Sequence, residues 1–315
     1  MFPSPDGLWS IGELAEHAGV TVKAVRFYSD RGLLPEAARS AGGHRRYGPE
    51  ALDRLRLIRS LRTLDLPVPE VGRVLDGDDV REDALEDAVA GKLKELGSQL
   101  TALRWREAAL RLIQDCTPEE RADRLRLVGA VTVPPSTAAL ARFWKNWLPP
   151  RLPARLTSVL IEHSVPQPPA EPTPAQVLAF ARLHAFVSGP CPGTGRGQPA
   201  VHRSDTGYRP AVLYDGLREA HELASAEMRA QRPPRPGGAL DCFVAAYARS
   251  RGTQDTAAFR RLLGEQLAAD PRIDHYWQLV AELVSPASGP PEPTLGATHE
   301  WLRAALDAQV ARTAA

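Results

Sequence analysis

The chain has 315 residues, 43% hydrophobic and 24% charged, with a formal net charge of +1. That length suits two domains or a few smaller ones, and the balanced charge excludes a global field for nucleic acid, so any such attraction must come from local basic patches. Cys116, Cys191 and Cys242 are odd in number and too widely spaced for a disulfide framework, no apolar run is long enough to span a bilayer, and the opening M-F-P-S-P-D-G is no signal peptide, which together lead us to expect a cytoplasmic protein without a membrane partner.

Taken in order, Ser10 and Glu13 form an S-x-x-E capping box at a helix start. Ile11, Leu14, Ala15 and Ala18 continue one apolar face, and Gly19 ends the helix. Thr21 is a good N-cap for a second helix. If it runs past Tyr28, that helix carries Val22, Val25 and Leu33 inward and leaves Lys23, Arg26 and Tyr28 to project elsewhere. Two short helices across a tight Gly turn predict a helix-turn-helix, whose second helix enters the major groove. Gly32 and Pro35 end the run, and Arg39–Tyr47, with Gly42 and Gly43 adjacent, predicts a hairpin wing. Arg45 and Arg46 suit phosphates, and the Tyr47 hydroxyl can donate to one.

Gly48-Pro49-Glu50 starts a third helix, with Leu52, Leu55, Ile58 and Leu61 inside. Arg54, Arg56, Arg59 and Arg62 are expected on its surface. With Arg39, Arg45 and Arg46 they make a local basic patch, opposed by Glu50 and Asp53. The plainer alternative is a solvated charged face. Val68-Pro69-Glu70 allows a fourth helix.

A long helix is predicted over about Glu82–Asp115, roughly 50 Å at 1.5 Å per residue. Leu93, Leu96, Leu100, Leu103 and Leu110 alternate spacings of three and four with one position skipped at Glu107, a coiled-coil seam that implies dimerisation. The alternative is a long helix packed on its own C-terminal domain. Thr117-Pro118-Glu119-Glu120 is a second capping box and starts a fresh helix.

The remainder reads as almost all helix. Apolar faces recur at Leu140/Phe143/Trp144/Trp147, Leu240/Phe243/Val244/Tyr247 and Phe259/Leu262/Leu263/Leu267. They recur again at Tyr276/Leu279/Val280/Leu283 and Trp301/Leu302/Leu306/Val310. Pro-rich breaks fall at Val165–Pro174, Arg232–Gly238 and Ser285–Pro293, and a long irregular stretch at Ser188–Pro210. H-E-x-x-H, P-loop and G-x-S-x-G signatures are missing. The pairs His202/Asp205 and Asp274/His275 are loose, and Cys191 with His202 lacks further ligands. No catalytic residue, metal ligand or cofactor is assigned. The aromatics Trp144, Trp147, Tyr214, Phe243, Tyr247, Tyr276, Trp277 and Trp301 serve as core or line an apolar pocket, and effector-binding residues stay unassigned.

Residues 8–75 resemble the N-terminal domain of the MerR family of transcriptional regulators. The resemblance is carried by I-G-E-L-A-E-H-A-G-V-T, V-R-F-Y, G-L-L-P, G-G-H-R-R-Y and A-L-D-R-L-R-L-I-R. It implies a winged helix-turn-helix that binds double-stranded promoter DNA as a homodimer joined by an antiparallel coiled coil. A two-fold dimer calls for a pseudo-palindromic site. The resemblance further implies DNA distortion that activates transcription, with RNA polymerase at the promoter. It places DNA contacts at Thr21, Val22, Lys23, Arg26 and Tyr28, and in the wing at Arg45, Arg46 and Tyr47. The chain departs from the family at Phe27-Tyr28-Ser29 (commonly Tyr-Tyr-Glu), at His44 (commonly Tyr) and at Asp65-Leu66-Pro67 (commonly Gly-Phe-Ser).

The resemblance does not reach the C-terminal region. A cobalamin module's D-x-H-x-x-G is missing, strand signals for a drug-binding barrel are scarce, and Asp76–Asp83 has no Cys of the metal-sensing kind. The expectation is therefore a mainly α protein. A winged helix-turn-helix spans residues 1–78, a coiled-coil dimerisation helix 79–116, and an all-helical domain 117–315. That last domain senses a small-molecule effector or, alternatively, binds a partner protein and senses no small ligand.

Overall fold

The computed structural model describes residues 7–76, 81–149, 152–189, 208–269, 271–284 and 293–314. The chain divides into two compact units, Met1–Gln99 and Leu100–Ala315.

The first unit, the head, begins with β1 (Trp9–Ser10), α1 (Ile11–Ala18) and α2 (Val22–Asp30). β2 (Ala38–Arg39), β3 (Arg45–Tyr47), α3 (Pro49–Thr63) and α4 (Val68–Asp76) follow. The capping box is formed: Ser10 N–H donates to Glu13 Oε2 at 2.7 Å, and Glu13 N–H to Ser10 Oγ at 3.3 Å. Gly19 takes φ +63°, the left-handed conformation that only Gly adopts cheaply. Thr21 Oγ1 accepts from Ala24 N–H, so α2 starts one residue later. The three short strands form an antiparallel sheet in the order β1-β3-β2, with Trp9 opposite Tyr47 and Arg39 opposite Arg45.

Two small cores result. Leu14, Ala15, Val25, Leu34, Tyr47 and Leu55 fill one. Leu33, Ile58, Leu61, Leu66, Val71 and Leu75 fill the other, where Ala88 of the long helix α5 (Arg81–Gln114) joins them. On α3 the buried set is Ala51, Leu55, Ile58 and Leu61, with Leu52 only partly covered. Val22 departs from its expected inward position. It is the first residue of α2 and is 40% exposed, because the inner face there belongs to Val25.

The second unit starts on the later half of α5. Nine helices follow among the described residues. They are α6 (Pro118–Gly129), α7 (Ala138–Trp147), α8 (Ala154–Ser164), α9 (Pro174–Ser188) and α10 (Pro210–Arg229). Then come α11 (Gly238–Ser250), α12 (Ala257–Ala268), α13 (Arg272–Val284) and α14 (Leu295–Ala314). The second capping box holds α6, with Thr117 N–H on Glu120 Oε2 at 3.1 Å. One continuous core runs through these helices. Phe143 stacks on Tyr276 at 5.5 Å and on Trp147 at 5.6 Å. Of the expected apolar faces, Leu262 departs at 47% exposure. Gly216 allows α10 and α11 to approach closely: a Cβ there would lie 2.6 Å from Ala246 Cβ. The Pro-rich break after α8 packs on α5, with Trp105 Nε1–H donating to Pro169 O at 3.0 Å and Arg104 on Glu171 at 2.8 Å.

The long helix therefore has two faces. Ala102, Trp105, Ala108 and Leu112 are buried, the last three in the C-terminal core. Leu93, Leu96, Leu100, Leu103 and Leu110 are 48% to 71% exposed. Among the described residues no helix is long and apolar enough to cross a membrane. Cys191, His202, Asp205 and most of Ser188–Pro210 lie outside the described residues, as does most of the break at Ser285–Pro293.

Candidate nucleic-acid interface

The helical period divides α2 into two sides. Val25 is buried and Tyr28 packs its ring against both head cores. Val22, Lys23, Arg26, Phe27 and Asp30 are exposed. Thr21 stands at the exposed start, its side chain committed to the cap. Beside this face lies an open cleft of about 450 Å³. The first turn of α1 (Ser10, Gly12), α2 (Arg26, Asp30) and the wing (His44, Arg45, Arg46) line it. Helix and wing thus converge on one concave surface that carries Arg26, Arg45 and Arg46, with Asp30 among them, an arrangement that can meet a phosphate backbone.

The cations on this surface differ in their partners. Lys23 and Arg26 make no hydrogen bond or ion pair among the described residues. The wing arginines do. Arg45 Nη1 lies 2.6 Å from Asp30 Oδ1, and its Nε lies 3.3 Å from Glu36 Oε2. The neighbouring Asp30 carboxylate raises the Arg45 pKa further. Arg39 also sits on Glu36, at 2.8 Å, and Arg46 Nη1 is 3.9 Å from Glu13 Oε2. Glu13 is held below its ordinary pKa, first by the Ser10 backbone N–H and then by the Ser10 hydroxyl.

Tyr47 corrects one expectation. It is fully buried in the head core, and its hydroxyl is 3.1 Å from Ser29 Oγ, so it has no surface to offer a phosphate. The period-2 alternation of β3 explains this: Arg46 and Tyr47 point to opposite faces. The arginines of α3 correct another. Arg54 donates to Leu33 O at 2.7 Å, to Leu75 O at 3.1 Å and to Asp76 at 2.8 Å. Arg59 donates to Ala18 O, and Arg62 to Leu66 O. These three satisfy carbonyls at helix ends and in loops, where the last turn leaves acceptors without partners. Neither a free basic patch nor a merely solvated face describes them. Arg56 pairs with Asp53 at 3.2 Å.

Sequence reading missed Asp30 and Glu36 as partners of the wing, because that pairing spans up to fifteen residues and depends on where the hairpin folds back. It also missed that exposed Phe27 carries the Arg31 guanidinium 4.5 Å above its ring. In the C-terminal unit, Asp274 serves Arg303 and approaches His299 at 4.0 Å, while the His275 ring meets Phe186 edge-on. Among the described residues no group of three or more His, Cys, Asp or Glu could hold a metal ion.

Residues 9–78 match the family described as MerR HTH family regulatory protein. A mercuric resistance operon regulatory protein of Serratia marcescens is 34% identical over 102 residues, which cover 32% of this chain and 71% of that relative. The chain belongs to the MerR family. Its head is a MerR-type DNA-binding domain. The HTH-type transcriptional activator TipA of Streptomyces coelicolor is 37% identical over 121 residues, covering 36% of this chain and 46% of TipA. Nodulation protein NolA of a Bradyrhizobium strain is 45% identical over 69 residues, covering 22% of this chain and 29% of NolA. The chain thus spans less than half the length of these last two relatives. All three alignments leave most of the C-terminal unit unmatched.

Proposed function

We propose that this MerR-family chain is a homodimeric transcriptional regulator that binds pseudo-palindromic promoter DNA beside RNA polymerase. The recognition helix supplies Lys23 and Arg26, with Thr21, Val22 and Tyr28 setting its approach, and the wing supplies Arg45 and Arg46. One observation carries this reading: α2 presents two cations that have no ion-pair or hydrogen-bond partner among the described residues, beside a concave surface shared with the wing. Phosphate contacts of this kind fix register, and base contacts then specify sequence. The dimer is supported by Leu93, Leu96, Leu100, Leu103 and Leu110, which line one face of α5 and stay exposed in the single chain. Because these leucines start about half to two-thirds exposed, each one that a partner covers gains of order 1–2 kcal/mol before the cost of association.

For the C-terminal unit we propose effector sensing. Trp105 and Leu112 pack in its core on the same helix that carries Leu103 and Leu110 on the other face. A ligand that favours one packing of that core acts on the seam by differential affinity alone. A partner-protein reading is favoured by a different observation. The aromatic residues that could line a pocket pack on one another, with Phe143 stacked against both Trp147 and Tyr276.

The test starts with selection of a duplex from random sequence, followed by binding and sedimentation of the full chain. Arg26→Ala is expected to weaken binding to the selected duplex at least tenfold, at the scale of a lost charge-assisted phosphate contact, while the dimer mass stays unchanged. Unaltered affinity would remove α2 as the reading helix, and a monomer in sedimentation would remove the seam.

A further inference from the structure

We propose that Asp30 is a built-in counter-ion for the wing, a specificity residue that holds Arg45 back from DNA until the recognition helix has docked in register. The inference rests on the DNA-binding reading above. Asp30 is the last residue of α2, and its Oδ1 lies 2.6 Å from Arg45 Nη1. Glu36 takes the Nε side of the same guanidinium at 3.3 Å.

Three considerations carry it. First, the pair does little for folding, because Asp30 is 52% and Arg45 31% exposed, and solvent-screened pairs of this kind contribute little. Second, an aspartate at a helix C-terminus opposes the helix dipole. Its position therefore works against α2 locally, so its presence has to be explained by what it faces. Third, the pairing is selective. Arg45 and Arg46 of the wing sit in ion pairs with carboxylates, whereas Lys23 and Arg26 of α2 make none among the described residues.

A carboxylate and a phosphate compete for the same face of a guanidinium. On a non-cognate duplex, α2 does not seat, Arg45 keeps Asp30, and one phosphate contact with its counter-ion release is forgone. On a cognate duplex, docking brings a phosphate against the wing and Arg45 exchanges one anion for the other. Asp30 thus lowers non-cognate affinity more than cognate affinity.

The experiment uses the full chain and fluorescence anisotropy with a duplex chosen by selection and a scrambled duplex, over about 50 to about 300 mM salt. Asp30→Asn is expected to tighten scrambled-duplex binding about three- to tenfold at the low-salt end. It should steepen the salt slope on that duplex by about 0.9, one more counter-ion released. Binding to the selected duplex should change about twofold or less, so the ratio between the two falls. The thermal midpoint should stay level or rise, since an unfavourable helix-end charge is removed. In the double variant Asp30→Asn/Arg45→Gln the gain should vanish, which a general loss of negative charge would not produce.

Wild-type binding comes first. If no duplex is bound at any salt, the DNA-binding reading fails and this inference with it. If wild type binds and Asp30→Asn leaves the scrambled-duplex slope unchanged, this inference alone fails. It also fails if Asp30→Asn weakens both duplexes, because Asp30 would then only orient Arg45 for its contact.

Discussion

Arg54 in the head and Phe143 in the C-terminal unit play comparable parts with opposite chemistry. Arg54 ties Leu33 O, Leu75 O and Asp76 together through three separate nitrogens. Phe143 joins Trp144, Trp147, Phe186 and Tyr276 through ring contacts of 5.5 to 6.0 Å. The difference follows from size. A unit of short helices has many helix ends and two small cores, so its stability depends on satisfying carbonyls as much as on burying area. The larger unit has one continuous core and can rely on apolar and aromatic packing. Arg54, Arg59 and Arg62 are consequently structural, whereas Lys23 and Arg26 make no hydrogen bond or ion pair among the described residues. Two arginines on the same domain can then fail in different ways, one by unfolding it and one by releasing DNA.

The sharpest way to break this contrast is Arg54→Met. It keeps most of the stem and removes all three donors, leaving the Leu33 and Leu75 carbonyls without that partner. We expect a loss of about 3 kcal/mol in the head, at the scale of charge-assisted hydrogen bonds to partly buried acceptors. Hydrogen exchange should show it as lost protection across residues 28–76, with protection in α11 and α13 unchanged. A loss below about 0.5 kcal/mol, the scale of an ordinary surface change, would mean that the polar staple is ornamental and that the small cores suffice.

A second test uses pH, because the C-terminal core contains a histidine that the head has no counterpart for. His221 lies in α10 with its Nδ1 2.8 Å from Thr298 Oγ1. Burial, and then the His299 charge, push its pKa down from 6.5 to about 3. At pH 7 the ring is largely neutral in both folded and unfolded chains and contributes little to the pH dependence. Below about pH 6.5 the unfolded chain takes up a proton that the folded one refuses. Stability of this unit should then fall by up to about 1.4 kcal/mol per pH unit, about 2 kcal/mol by pH 5. Denaturant midpoints at pH 7 and pH 5 read this directly. His221→Asn, which keeps a short polar group toward Thr298, should flatten the dependence by one proton. An unchanged slope would place the acid sensitivity elsewhere.

How much of this is legible in the sequence also differs between the units. In the head, local signals suffice for the helices: the Ser10/Glu13 box, Gly19, Thr21 and Pro49 each act within four residues, and the structure puts helix boundaries where they say. What fails there is long-range. Tyr47 reads as a phosphate contact because its neighbours are Arg45 and Arg46, yet strand alternation turns it into the core. Arg54, Arg59 and Arg62 look like surface charge because their acceptors lie up to forty-one residues away in the chain. In the C-terminal unit the apolar periodicity locates the helices, with Leu262 as the exception. Periodicity carries no information on whether aromatic rings fill a core or surround a ligand, and nothing in the spacing of Phe143 and Tyr276 foretells that their rings stack.

The smallest expected effect sharpens the same comparison. Ser10→Ala removes the cap that accepts from Glu13 N–H, and a lost N-cap of this type costs about 1 kcal/mol. The change falls in the head, so the C-terminal unit should melt as before. It also has a signature in pH. Glu13 is held below its ordinary value of 4.5 first by the backbone N–H of residue 10, which Ala keeps, then by the Ser10 hydroxyl, which Ala removes, with a smaller contribution from Arg46. A depressed carboxylate adds stability that is present above about pH 4.5 and is lost as pH falls through the folded value. Acid thus acts through Glu13 only below that point, while His221 already weakens the C-terminal unit from about pH 6.5 downward. Ser10→Ala should therefore reduce the head's stability evenly between about pH 5 and 8, and shrink its further decline below about pH 4.5. Site-resolved hydrogen exchange at about pH 7 and pH 5 separates the two units. If the head lost protection over the same window as the C-terminal unit, the two would be unfolding as one body, and the division of chemistry between carbonyl staples and aromatic packing would not extend to their stabilities.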